Sequence, residues 1–431
     1  MEIRKNVIQT MLLAFLFTGT SISCKELKDS FGSDSIDLTD LSHPVASLPL
    51  SDAVADLTIV PLETNEQSII KEIRKLIVTD EEIFVADQKQ VLRFAPDGKF
   101  LNLIGASGEG PGEYSYITDI QFDTANKKLY VLSSNERLQT YSPEGYFIEK
   151  LNDKPFSDNF AGMGGGGFLL IKQLLFWQDG LPIRPDKQTI WNYALTDNSG
   201  KITKTFTNPA YQGHEQEIIE NHALYQGWKN YWTEPGNSLD FYNGEFNLLY
   251  YGVDTIYRYD DVRQEFIPRY TLNINGHPSF EASRQWIKEM SFWQYTIPED
   301  FFETKDFLYL VAGKSSGKYL VKFDKQTGEV AYTEQKGTIK ETKFPNGFLF
   351  TRREVENPGF TNDICGLQWP FVPKKQTNGA YWTCLYEASD LLENKELTTQ
   401  VTKPASRDKL LQIINTLKED DNPVVMIAKL K

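Results

Sequence analysis

Three oxygen-bearing side chains have the types and places from which a binding site could be built. Asp119 and Asp363 take equivalent positions when the repeated segments of the chain are aligned, and Asn362 precedes the second aspartate. Such oxygens hold hard divalent cations such as calcium, and a bound cation can activate water for hydrolysis. Any ligand site is therefore predicted near these residues, although they do not complete a ligand set and no cofactor is assigned. The alternative, which we favour, is that both aspartates cap turns or bind backbone amides.

Histidine offers little for catalysis, because the chain contains only four. His214 and His222 flank an acidic run, and they would share one face if that run were helical. Zinc-binding helices of metalloproteases instead carry histidines four residues apart around a glutamate. This segment is therefore predicted to be a solvated helix in an insertion.

Two other segments invite a binding interpretation. Gly105–Gly112 is glycine-rich, but it lacks the Gly-Lys-Ser/Thr ending of a phosphate loop and strands follow it, so a sharp turn is predicted. The run from Tyr225 to Trp232 contains two tyrosines and two tryptophans. These rings could form a platform for a sugar or a peptide, or the small core of their own loop, which we favour.

The cysteines have two different settings. Cys24 follows a basic start (Arg4 and Lys5), a short apolar run (Met11–Phe17) and small residues, an order that resembles a bacterial lipobox. We expect Cys24 to be lipidated after removal of a signal peptide at 1–23. The alternative is an ordinary cleaved signal peptide with an incidental cysteine.

Cys365 and Cys384 lie in apolar, aromatic segments. An exported location permits a disulfide between them, but buried free thiols are equally consistent with this setting. Residues 24–50 are polar, with recurring Ser, Asp and Gly, and are predicted to be a flexible tether. The folded domain is then expected to span 51–431.

A repeat of 46–47 residues organises the chain beyond the tether. Similar segments start at Ile83 and Leu129, and each contains two strands separated from a third by a Pro-Asp/Glu-Gly turn. Looser copies have their apolar centres near residues 168, 248, 308 and 380. This period is typical of a four-stranded propeller blade, so six units predict an all-β, six-bladed β-propeller.

The C-terminal part departs from pure β structure. Ala405–Glu419 has apolar residues at helical spacing, and a strand is predicted at Val424–Leu430. The last blade would therefore contain a short inserted helix and an inner strand near Ile364–Phe371. Because it lacks a fourth strand, we expect Leu57–Leu62 to close the propeller by pairing beside Val424–Leu430.

Composition limits the partners. Aromatic residues make up 13% of the chain, which favours pleated sheets, and the net charge is −14. Nucleic acid binding requires concentrated Lys and Arg, and no such run occurs. No segment after the signal is long and apolar enough to cross a membrane, so the predicted membrane contact is the lipid on Cys24.

These motifs carry two resemblances. Val85–Leu151 resembles NHL-type propeller repeats, through VAD, an aromatic-ended strand, Asp-Gly and GEGPGEY. The whole mature chain resembles a family of six-bladed propeller lipoproteins of Bacteroidetes that is largely of unknown function. The matching segments are Leu50–Thr64, Gly108–Tyr114, Asp254–Val262, Asn362–Pro373 and Asp420–Lys431. The resemblance implies the fold, export and lipidation, and it implies no reaction.

Three functions fit these sequence features. We favour a binding or scaffold module at the cell envelope, anchored in the outer membrane, with an envelope protein, glycan or peptide as its ligand. A metal-dependent propeller hydrolase, similar to lactonases or esterases, is the enzymatic alternative and would place its site in the central tunnel. A structural subunit of a larger envelope complex is the third hypothesis.

Overall fold

The computed structural model describes residues 34–133, 137–151, 159–162, 168–171, 177–178, 181–182, 191–197, 201–216, 238–250, 253–277, 294–343, 349–376 and 379–431. Strands dominate these residues. In chain order they are β1 (Asp34–Asp37), β2 (Val54–Pro61), β3 (Lys75–Val78), β4 (Ile83–Ala86), β5 (Val91–Phe94), β6 (Phe100–Ile104), β7 (Ala106–Ser107), β8 (Glu113–Tyr114), β9 (Ile117–Asp123), β10 (Lys128–Ser133), β11 (Arg137–Tyr141), β12 (Phe147–Leu151), β13 (Asn159–Gly162), β14 (Phe168–Ile171), β15 (Trp177–Gln178) and β16 (Leu181–Pro182). They continue with β17 (Tyr193–Thr196), β18 (Ile202–Phe206), β19 (Ser238–Tyr242), β20 (Glu245–Leu249), β21 (Thr255–Asp260), β22 (Glu265–Asn273), β23 (Ile297–Glu303), β24 (Phe307–Lys314), β25 (Gly317–Asp324), β26 (Val330–Lys336), β27 (Thr338–Lys343), β28 (Leu349–Glu354), β29 (Lys374–Lys375), β30 (Tyr381–Tyr386) and β31 (Val424–Leu430).

Helices are few in the part of the chain that the structure describes. Two short 3-10 helices cover Leu50–Asp52 and Pro209–Tyr211. The α-helices are α1 (Ala388–Glu393) and α2 (Pro404–Thr416), and both lie between β30 and β31 in the chain. Helix α2 begins one residue before the predicted start and ends three residues before the predicted end. It packs Leu410 and Ile414 into the core next to β2.

The strands form an all-β structure with a β-propeller arrangement. Four-stranded sheets have the orders β3-β4-β5-β6, β9-β10-β11-β12, β13-β14-β17-β18, β23-β24-β25-β26 and β29-β30-β31-β2, and a five-stranded sheet has the order β19-β20-β21-β22-β1. The pairs β7-β8, β15-β16 and β27-β28 stand apart from these sheets. The core consists of apolar clusters, several of which join residues of two successive sheets.

The first strand of a sheet lies against the first strand of the next. β3 contacts β9, β9 contacts β13, and β19 contacts β23. We call β3, β9, β13, β19, β23 and β29 the inner strands, because first strands converge on the axis of a propeller. Polar side chains on these strands are therefore brought together from distant parts of the sequence.

The two Pro-x-Gly turns each pack on the outer strand of another sheet. Gly98 has φ +91°, and a Cβ there would lie 2.1 Å from the carbonyl oxygen of Pro61 in β2. Gly145 has φ +93°, and a Cβ there would lie 2.4 Å from the carbonyl oxygen of Leu103 in β6. Glycine is thus required twice over, by the left-handed backbone and by the close approach of the next sheet.

The predicted closure between the chain ends is confirmed as a strand pairing. β2 pairs antiparallel with β31, with Val60 opposite Val425 and Leu57 opposite Ala428. This pairing makes β2 the outer strand of the sheet that begins with β29. It buries the apolar side chains of both strands, which contributes about 25 cal/mol per Å² of apolar surface.

The inner strand of that last sheet lies later in the chain than predicted. Ile364–Phe371 forms turns and isolated bridges, and the inner strand is β29, at Lys374–Lys375. Gly366 has φ +80° and lies in a turn closed by its amide donating to the carbonyl of Asn362. A positive φ at this position interrupts extended backbone, so the strand can start only after it.

The predicted tether is also too long. β1 pairs in parallel with β22, and Ile36, Leu38, Leu48 and Leu50 are buried. Between these points the amide of Val45 donates to the carbonyl of Tyr332 in β26. Residues 34–50 therefore form part of the folded structure, because their buried apolar side chains belong to two of the core clusters.

Candidate functional site

Asp119 lies on an inner strand, as the repeat alignment predicted, and its carboxylate is buried. Its Oδ1 lies 3.0 Å from Nζ of Lys75, the first residue of β3, and also accepts a hydrogen bond of 2.9 Å from the amide of Ile120. One third of the Lys75 side chain remains exposed. The pair therefore joins two inner strands and presents its positive end to solvent.

A second polar group joins three inner strands on another part of the propeller. Lys375 in β29 donates from Nζ to Ser238 Oγ in β19, to Asp300 Oδ1 in β23 and to the carbonyl oxygen of Phe301, over distances of 2.6, 2.6 and 2.9 Å. Lys375 is 16% exposed, and Asp300 is 38% exposed. We call Ser238, Asp300 and Lys375 the inner polar group.

Asp240 lies beside the inner polar group and is buried. Burial raises the pKa of its carboxyl to about 6, although the nearby Lys375 opposes this rise. The carboxylate accepts hydrogen bonds from the amides of Glu303 at 2.9 Å and Phe241 at 3.1 Å. Its charge is therefore supported by backbone dipoles and by one lysine across the sheet boundary.

Glu303, at the other end of β23, anchors a separate charge network. Its side chain is fully buried, and Oε1 accepts from Arg269 Nη2 at 2.8 Å, Tyr270 OH at 3.0 Å and Lys325 Nζ at 2.7 Å. Burial lowers the pKa of Lys325, against the opposing effect of Glu303. These contacts join β22, β23 and the turn after β25, so the network fixes two sheets to one another.

Asp363 and Asn362 do not share a site with Asp119. Asp363 lies in a turn, where Oδ1 accepts from the amide of Ser51 at 3.0 Å and the second oxygen accepts from the Ser51 hydroxyl. Asn362 Oδ1 accepts from the amide of Cys365 at 3.2 Å. Both side chains hold turns in place. For Asp363 this is what the alternative favoured from the sequence predicted, and the alignment of Asp363 with an inner strand was wrong.

The disulfide alternative is also corrected. Cys365 and Cys384 are both buried free thiols within one apolar cluster. Burial raises the pKa of each thiol. Cys384 sits on β30 opposite Met426, whereas Cys365 lies in the turn capped by Asn362.

The glycine-rich segment forms a turn closed by its own carboxylate. Glu113 Oε2 accepts from the amide of Gly110 at 2.8 Å, and a Cβ at Gly108 would lie 2.0 Å from the same oxygen. The Tyr114 hydroxyl donates to the carbonyl of Ile104 at 2.6 Å, which ties the segment to β6. The Glu113 carboxylate thus accepts from a backbone amide of the segment, which fits the predicted structural turn.

Some of the residues singled out in the sequence lie outside the described part of the structure. Among them are Cys24, His222 and the aromatic run 225–232. His277 Nε2 lies 3.2 Å from Asp254 Oδ2. Among the described residues, no group of three His, Cys, Asp or Glu side chains is placed to hold a metal ion.

Sequence reasoning missed most of the inner-strand chemistry, although a signal for it exists. Asp119, Asp240 and Asp300 are each followed by an apolar residue, and each accepts from the amide of that next residue with its own Oδ1. All three lie on inner strands. An Asp-apolar pair on three of the six inner strands could therefore have been recognised in the sequence, whereas no comparable pattern marks Lys75 and Lys375.

Comparison with known proteins places the chain by fold. A crystal structure from Bacteroides fragilis NCTC 9343, provisionally named an exported protein, is 15% identical with a TM-score of 0.61, over 93% of this chain and 100% of that one. The WD40 repeats of RRP9 are 10% identical with a TM-score of 0.38, over 89% of this chain and 99% of that one. No curated protein matches the chain significantly. The model of a domain of unknown function, DUF4934, matches residues 33–429, so the chain belongs to the DUF4934 family.

Proposed function

We propose that this protein is an exported, lipid-anchored, six-bladed β-propeller that acts as a binding or scaffold module at the cell envelope. The observation that carries the proposal is the pair of charge groups on the inner strands, Lys75 with Asp119 and Lys375 with Asp300. Fixed, partly exposed charges at converging strands suit recognition of a polar ligand, because their orientation is set before binding.

Six blades are supported by the five-stranded sheet together with the five four-stranded ones. Without β1, the five-stranded sheet consists of four strands that follow one another in the chain, as in most of the four-stranded sheets. The six apolar centres found in the sequence each fall in or at the start of the second strand of one of these sheets. The stretch that contains α1 and α2 would then be an insertion between the second and third strands of the last blade.

Lipid anchoring is supported by the N-terminal sequence. Cys24 follows the basic and apolar segments of an export signal, and β1 begins ten residues later. The fold is shared with the provisionally exported protein of Bacteroides fragilis. No helix within the described ranges has the length and apolar character to span a bilayer. We place the anchor in the outer membrane.

Binding is favoured over metal-dependent hydrolysis by the partners of the two aspartates. Asp119 is engaged by Lys75, and Asp363 is engaged by Ser51. A cation bound by either carboxylate would have to displace these partners.

The test uses the full chain, expressed with its signal in its native envelope and captured in detergent after mild cross-linking. Lys375→Met and Lys75→Met should each reduce the cross-linked ligand at least fivefold. Lys99→Met is the matched control, because Lys99 is 77% exposed on the turn at the outer edge of the first sheet and should leave the yield unchanged. Equal yields from all variants would contradict the proposal, and calcium-dependent lactone or ester hydrolysis abolished by Asp119→Asn would favour the hydrolase.

A further inference from the structure

A cavity of about 520 Å³ lies at one end of the first sheet and is not part of the inner polar group. Lys71 and Glu72, from the connection between β2 and β3, form one side, and the turn Asp87–Gln90 between β4 and β5 forms the other. Small-molecule sites in proteins commonly have volumes of roughly 300–1,000 Å³. The cavity therefore has the size for a ligand of one to three sugar-sized units.

The wall formed by the turn is rigid. Asp87 Oδ1 accepts from the amides of Lys89 and Gln90, at 2.7 and 2.9 Å. Gln90 Nε2 donates to the carbonyl of Ile69 at 2.7 Å, which ties the two sides of the cavity together. A wall fixed in this way keeps its polar groups oriented without a ligand.

An aromatic side chain stands beside this wall. The amide of Ile117 donates to the carbonyl of Gln88 at 3.0 Å, which places Tyr116 next to the turn. The guanidinium of Arg74 lies 4.5 Å from the centre of the Tyr116 ring, and Tyr116 as a residue is 39% exposed. A cation over a ring holds it in one orientation, so Tyr116 forms a fixed and accessible apolar platform.

The polar groups around the cavity are mixed in sign and in hydrogen-bonding role. In the lining, the positive charges of Lys71 and Lys89 are balanced by the negative charges of Glu72 and Asp87. Gln88 donates to Glu72 at 3.2 Å, which leaves its amide oxygen available as an acceptor. Lys71 and Lys89 form no ion pair within the described parts of the chain. Such a balance does not select a strongly charged ligand, whereas it offers donors and acceptors to neighbouring hydroxyl groups.

We propose that the cavity and the Arg74–Tyr116 pair bind a neutral sugar unit of a glycan. The C–H face of a pyranose would pack on the Tyr116 ring, and its hydroxyls would bond with Gln88, Glu72 and the two lysines. The proposal rests on the binding function argued above and gives that function a ligand class and a second place on the propeller.

The test titrates the full chain in detergent with four neutral trisaccharides, namely maltotriose, cellotriose, triacetylchitotriose and mannotriose, followed by calorimetry and saturation-transfer NMR. At least one should bind, and Tyr116→Ala should weaken that sugar at least tenfold. Tyr116→Phe keeps the ring and should bind within threefold of the wild type. Tyr146→Ala is the matched control, because Tyr146 is 73% exposed on a different turn and should have no effect.

Absence of binding by all four sugars, or undiminished binding by Tyr116→Ala, would overturn the assignment. A sulfated trisaccharide titrated in parallel should bind more weakly than the neutral one, and preference for the sulfated sugar would overturn the neutral class. The cross-linking test depends on Lys75 and Lys375 and not on the cavity. If no sugar binds but the cross-linking result is obtained, the glycan proposal fails and the envelope binding function stands.

Discussion

Replacement of Asp240 by asparagine should change the stability relative to the wild type in a pH-dependent way. The variant should compare more favourably with the wild type at neutral pH than at acidic pH. The buried carboxyl has a pKa of about 6, whereas its value in the unfolded chain is 3.8. Below pH 3.8 the carboxyl is protonated in both states, and above pH 6 it is charged in both. The folded state thus holds the proton more tightly, and the wild type loses stability as the pH rises between these values.

The magnitude follows from the two pKa values. A tenfold change in an equilibrium corresponds to about 1.4 kcal/mol, so the interval from 3.8 to about 6 corresponds to about 3 kcal/mol. Asparagine cannot charge and removes this dependence, but it accepts less well from the amides of Phe241 and Glu303, which costs about 1 kcal/mol at every pH. The difference in unfolding free energy, variant minus wild type, should therefore rise by about 3 kcal/mol between pH 3.5 and pH 7.

Urea unfolding at half-unit pH steps measures this difference. Asp324→Asn is the control, because the amides of Thr327 and Gln326 lower the pKa of Asp324 and the difference should run in the opposite direction. Lys375→Met should raise the pKa of Asp240 further and extend its effect to higher pH, since Lys375 opposes the rise. A pH-independent difference for Asp240→Asn would refute the reasoning.

Three more predictions concern the chain ends and one turn. Mass spectrometry of the mature protein should find an acylated Cys24 at its N-terminus, and Cys24→Ser should release the protein from the membrane; an unmodified N-terminus would contradict this. Deletion of Val424–Lys431 should abolish the cooperative thermal transition, because β2 and β30 would lose their common partner, and an unchanged melt would speak against closure by β31. Gly98→Ala should destabilise by about 2 kcal/mol or more, because the new Cβ meets a carbonyl, while Gly244→Ala, with φ +80° and nothing within 4 Å, should cost about 1 kcal/mol; equal losses would argue against the clash.

Local patterns predicted the strands and turns well, because their signals are local. The Pro-x-Gly turns at Gly98 and Gly145 appear where the sequence has them, and both glycines adopt positive φ. The pairing of β2 with β31 was predictable across the whole chain because an unpaired sheet edge is unfavourable. The need to satisfy the backbone hydrogen bonds of a sheet edge thus predicted a contact between distant strands, which local residue patterns alone do not predict.

Contacts between sheets were not predictable in the same way. Lys375 lies in a strand of only two residues, and its three acceptors come from β19 and β23. The repeat alignment predicted that Asp363 lies on an inner strand. It lies instead in the turn that contains Gly366, and its carboxylate binds Ser51 of the 3-10 helix. The tether was predicted from its polar composition. The isolated apolar residues Ile36 and Leu38 did not alter that prediction, because their partners are far away in sequence.

The pairing of β2 with β31 also constrains folding, because it joins distant parts of the chain. Val424 pairs with Pro61, which precedes it by 363 positions. Closing a loop of that length costs about 5 kcal/mol in chain entropy, which the other sheets must reduce by forming first. β2 therefore has no partner on this side until β31 has been made, so the sheet that they share is completed only after the strands between them in the sequence have been synthesised.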